Sequence, residues 1–100
     1  MKKLIVPRVH SNGTGRSDLL AGIHSAAIAV ATASKALGET CPHGRDYYVT
    51  SPDAYSRARL EYISRAERLD SVYNELLALY RAIESNTVET EVYQRWTVGR

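Results

Sequence analysis

The chain has 100 residues, 44% of them hydrophobic and 24% charged, with a net charge of +2 at neutral pH. This composition excludes a disordered chain, collagen and a disulfide scaffold, and the length fits one domain spanning residues 1–100. So small a net charge excludes a dedicated coat for long nucleic acid, and the lone Cys41 excludes an intramolecular disulfide and a cysteine-rich zinc site.

Charge is unevenly spread. Residues 1–16 hold Lys2, Lys3, Arg8 and Arg16 with no acid, whereas the rest of the chain sums to −2. The opening Met1-Lys2-Lys3-Leu4-Ile5-Val6 resembles the start of a signal peptide. Pro7 and Arg8 end its apolar run well short of the roughly 7 to 15 residues a secretory segment needs, which points away from export.

Leu4 to His10 contains several β-branched residues and runs into Ser11-Asn12-Gly13-Thr14-Gly15, a dense turn signal. The pattern predicts a short strand, with Pro7 assigning it to a sheet edge. Ser17 is the expected cap of a first helix over 17–37, Asp18 suits its positive first turn, and Gly38 supplies a C′ residue able to turn left-handed. Leu19 to Ser34 carries no charge, but Gly22, His24, Ser25 and Thr32 interrupt a stretch already shorter than the ~20 apolar residues of a membrane span. It reads as a buried helix of a soluble protein, with no membrane as partner.

Pro42 and Gly44 make residues 39–50 a loop, and Ser51-Pro52-Asp53 is a second helix start: a capping hydroxyl, a proline at the first position and a carboxylate beside the dipole. From there Tyr55, Tyr62, Leu69, Leu76 and Ile83 recur every seven residues, flanked by Ala58, Val72 and Leu79 on one side and Ala66, Tyr73 and Tyr80 on the other. The opposite face holds Arg57, Glu61, Arg68, Glu75 and Arg81, so residues 51–85 form a long amphipathic helix. Val88 to Trp96 alternates with a period of two and predicts a closing strand.

The fold class is therefore mainly α: an antiparallel helical hairpin with short terminal β-strands, in the order β-α-α-β. The first helix carries seven alanines and four uncharged turns, more small and apolar surface than one neighbouring helix covers. A two-stranded ribbon is also marginal alone. Both features call for a homo-oligomer, a dimer or higher, with a four-helix core and a joined sheet.

Two segments are chemically suggestive. The first, His10-Ser11-Asn12-Gly13-Thr14-Gly15-Arg16-Ser17-Asp18, sits where a strand meets a helix N-terminus, and glycine-turn amides, hydroxyls and a guanidinium suit a phosphate. It lacks the spacing of a nucleotide-hydrolase loop or a dinucleotide fingerprint, and its bland reading is a turn that needs glycine conformations. The second, Cys41-Pro42-His43-Gly44-Arg45-Asp46-Tyr47-Tyr48, crowds an imidazole, a guanidinium, a carboxylate and two rings into one loop. Arg45 can fork onto phosphate and Tyr47 or Tyr48 can stack on a base, with His43 and Asp46 orienting them or reading a base edge. The bland alternative pairs Asp46 with an arginine and uses both tyrosines to cover the hairpin end.

Catalysis is the weaker reading. Cys41, His43 and Asp46 include the residue types of a thiol triad, but sequence neighbours seldom reach nucleophile-base-orienter geometry. His10, His24 and His43 have no metal-ligand spacing, and the tyrosines at 55, 62, 73 and 80 lie where core packing outweighs base stacking. No enzyme activity, metal or cofactor is expected.

The basic start, His10-Ser11-Asn12-Gly13-Thr14, the alanine-rich helix, Pro42-His43-Gly44-Arg45-Asp46-Tyr47-Tyr48 and the long second helix together resemble a group of small bacteriophage-encoded helical proteins. Those proteins carry an N-G-T turn and a P-H-G-R-D-Y-Y loop at similar separation. The resemblance covers about residues 8–85, leaves the segment 88–100 outside it, and implies a phage origin and a place in the cytoplasm of the bacterial host. Two accessory roles then fit the residues: a sponge that sequesters a nucleotide signal, and an anti-CRISPR-like inhibitor that docks onto a host defence complex. Within one hairpin the two loops lie at opposite ends, roughly 30 Å apart, but in an antiparallel dimer the first loop of one copy can approach the second of the other; convergence favours the sponge, and separation favours the inhibitor or a structural role.

Overall fold

The computed structural model of the chain describes residues 2–85 and 91–94. These residues are mainly helical. Strand β1 (Lys2–Ile5) is followed by helix α1 (Arg16–Gly38), a single 3-10 turn at Gly44–Asp46, helix α2 (Ala54–Glu84) and strand β2 (Glu91–Gln94). β1 and β2 pair antiparallel, with Lys2 opposite Gln94, Lys3 opposite Tyr93, Leu4 opposite Val92 and Ile5 opposite Glu91.

Local chemistry sets these boundaries, in places differently from expectation. β1 stops at Ile5, so Pro7 lies beyond the ladder instead of on a sheet edge, and Val6 turns inward with 2% of its surface exposed. α1 begins one residue before Ser17, with Gly15 in the capping position and no side-chain cap, so Ser17 is not the cap. Gly38 is the last helical residue, and Glu39 follows at φ −69° with its N–H on Ala36 and Leu37 carbonyls; the right-handed continuation replaces the left-handed cap. Thr40 closes the same end by donating from its hydroxyl to the Leu37 carbonyl at 2.7 Å.

At the start of α2, Ser51 spends its hydroxyl on Asp53 Oδ1 at 2.9 Å instead of on a helix N–H. Ser51 and Pro52 thus form a turn, and Asp53 takes the capping position with no side-chain cap. Of the expected second strand, residues 91–94 are found, and Val88, Thr90 and Trp96 lie outside the described residues.

The core sits at one end. Val6, Ala82 and Ile83 form a buried cluster, with Leu19, Leu20, Ile23 and Leu79 packed around it, so the start of α1 lies against the end of α2. Leu4 joins the buried set from the sheet, and the rings of His24 and Tyr80 meet at 6.2 Å. Beyond that end α1 is little buried within the single chain, with Ala27 its one buried residue and Ile28 54% exposed, as expected of a helix that one neighbour cannot cover. α1 is long and apolar enough to cross a membrane by length and composition, a test that core helices of soluble proteins also pass. The heptad row of α2 is half-buried over Leu69 to Tyr80, and Val72 is exposed.

Candidate functional site

The first loop is held by its backbone and by one ring. Gly13 N–H donates to the His10 carbonyl at 3.1 Å, which folds the turn, and the imidazole of His10 covers the glycine. A Cβ at Gly13 would lie 2.7 Å from His10 Nε2. Gly13 has no left-handed backbone, which corrects the conformational reason given for this turn, and a Cβ there would need only the exposed His10 ring to swing aside. His10, Asn12 and Thr14 are all exposed, and Arg16 is half-buried. The Arg16 guanidinium donates to the carbonyl of Glu84, so the loop's cation is engaged with the end of α2.

The second loop is built around the 3-10 turn. Asp46 N–H donates to the His43 carbonyl at 3.0 Å and Tyr47 N–H to the Gly44 carbonyl at 2.9 Å, so His43 to Tyr47 has a defined shape. Tyr47 then packs on α2: its ring lies 6.3 Å from that of Tyr55, and the Arg59 guanidinium sits 6.0 Å from the Tyr55 ring centre. This tilted ring contact anchors the loop on the first turns of α2. Tyr48 points away with 81% of its surface exposed, next to Val49 at 75%. His43, Arg45 and Asp46 are exposed, and among the described residues Asp46 forms no ion pair with Arg45 or a helix arginine. One tyrosine therefore covers the loop end and the other does not.

Each loop can do something different chemically. The first offers amides, hydroxyls and an imidazole at a helix start; the second offers a guanidinium, a carboxylate and an open aromatic face. Within one chain they do not converge. They flank α1, whose 23 residues set them about 35 Å apart.

Cys41 is free and exposed, and no group of three or more His, Cys, Asp or Glu that could hold a metal occurs among the described residues. Sequence reasoning missed Tyr55 and Arg59 as supports of the second loop, because the heptad row placed Tyr55 on the apolar face and gave Arg59 no role. Their spacing of four on a helix was the available signal. No family model, curated protein or solved structure matches the chain.

Proposed function

We propose that this chain is a bacteriophage accessory protein that binds a phosphate-bearing nucleotide signal and sequesters it unchanged, as a homo-oligomer of antiparallel helical hairpins in the host cytoplasm. The observation that carries the reading is the second loop, which presents an exposed Arg45 and an exposed Tyr48 on one short turn anchored by the Tyr47–Tyr55 ring contact. A guanidinium and an open aromatic ring in the same short loop suit a ligand with a phosphate at one end and a base at the other. Arg16 and Arg45 supply positive charge, Asn12 and Thr14 polar contacts, His10, His43 and Asp46 orientation, and Tyr47 or Tyr48 the stacking surface.

Oligomerisation completes the site in this reading. Within one chain α1 leaves most of its small and apolar surface uncovered, with Ala27 its one buried residue and Ile28 54% exposed, which is surface a second copy would cover. An antiparallel pair of α1 helices sets the first loop of one copy near the second loop of the other.

Calorimetry against a panel of linear and cyclic nucleotides tests this. Arg45→Ala should weaken binding by about 1.5 to 3 kcal/mol with helical content unchanged, and heat release should return the ligand intact. A second reading, inhibition by docking onto a host defence complex, is favoured by the exposed apolar Leu60 and Ile63 on α2, at 67% and 40%. Absence of binding by any nucleotide, with co-purification of a host defence protein that Leu60→Arg abolishes, would support it.

A further inference from the structure

Arg16 opens α1 and Glu84 closes α2, 68 positions apart in sequence, and the guanidinium of one donates to the carbonyl of the other. A cation in the first turn of a helix faces the positive end of that helix's own dipole, so Arg16 is unfavourable for α1 taken alone. The end of α2 offsets this, because its last carbonyls carry the opposite partial charge.

Within that end the chain closes itself. Ser85 N–H donates to the Arg81 carbonyl and Ser85 Oγ to the Ala82 carbonyl, whereas the Glu84 carbonyl takes its donor from another element. The buried cluster of Val6, Ala82 and Ile83 lies at the same end, packed by Leu19, Leu20 and Ile23. Leu4, two residues before Val6, pairs with Val92 in the terminal sheet.

We propose that Arg16 is an electrostatic clasp for a local opening unit composed of the terminal sheet, the segment leading into α1 and the last turn of α2. With the clasp made, these parts stay closed over Val6 and Ile83. With it weakened, they open together while the Tyr47–Tyr55 end of the molecule stays folded. The contact lies at the surface, so dissolved salt sets its strength and with it the opening of the unit.

Hydrogen exchange read by mass spectrometry tests this on the full chain, at about 0.05 M and about 0.5 M salt. Arg16→Gln should speed exchange of peptides covering 2–9 and 79–85 about tenfold and leave peptides covering 44–62 unchanged. Added salt should move the wild-type pattern toward that of the variant and leave the variant unmoved. If Arg16→Gln does not fold, Arg16→Lys carries the same comparison with a smaller effect, since an ammonium keeps the charge and loses the fork. Uniform acceleration of all peptides, no acceleration, or a wild-type pattern indifferent to salt would each overturn the proposal. The test uses no ligand, so its failure is separate from any failure of the nucleotide reading.

Discussion

The two ends of the molecule are built on different principles. Where α1 begins and α2 ends, three segments meet: Val6 from the stretch after β1, Leu19, Leu20 and Ile23 from α1, and Leu79, Ala82 and Ile83 from α2. Where α1 ends and α2 begins, the long apolar side chains are exposed or half-exposed, and order comes from loop hydrogen bonds and the Tyr47–Tyr55 contact. The closed end spends its apolar residues on its own chain. The open end holds them out, which is where a partner or ligand gains most by covering them.

That contrast makes α1 the first place to break. Ala29 is exposed in the single chain, so Ala29→Glu should change its intrinsic stability by under about 0.5 kcal/mol. In an oligomer packed through α1 the same carboxylate is buried unpaired at a cost of several kcal/mol, and light scattering should report monomers in place of assemblies. A wild-type protein that is monomeric at micromolar concentration removes the oligomer from the account.

The next effect separates the ends by a pair of truncations. Ile83→Ala removes a side chain that is 4% exposed and should cost about 3 kcal/mol in urea unfolding, whereas Leu60→Ala, at a site 67% exposed, should cost under about 0.5. Equal costs would mean that Leu60 is covered in solution and that the asymmetry between ends is lost.

The smallest effect sharpens the description of the open end. Tyr55→Ala deletes the ring on which Tyr47 rests and should cost about 1 kcal/mol. It should also broaden the amide resonances of residues 43–48 without disturbing those of residues 2–6. A quiet loop in that variant would show that the backbone bonds of the 3-10 turn suffice to hold it.

Much of this was legible from the sequence. The uncharged alanine-rich stretch and the heptad row placed both helices to within three residues, because periodicity integrates over many positions. Their ends were less legible, because a single hydroxyl decides each: Ser17 sits inside its helix, and Ser51 bonds the Asp53 side chain instead of a helix amide. The strand pairing followed from helical geometry, but its length did not, since Val6 leaves the ladder for the core.

The candidate residues lie in the segments flanking α1, except Arg16, which opens the helix, and all are exposed but half-buried Arg16 and Tyr47. The partners of those two were not legible. The Glu84 carbonyl lies 68 positions from Arg16, and no sequence pattern announces a side chain that reaches a distant backbone oxygen. The buttress of Tyr47 was hidden because a tyrosine in a heptad row is assigned to the core.

The central claim is that the chain holds a nucleotide signal without changing it. It is tested most directly by purifying the protein from defence-active bacterial cells under native conditions, releasing any bound molecule by heat, and measuring its mass. The account predicts one phosphate-bearing nucleotide, released intact and in near-stoichiometric amount from the wild type and absent from the Arg45→Ala protein. A wild-type protein that releases no small molecule, or one that releases only cleaved products, would contradict it.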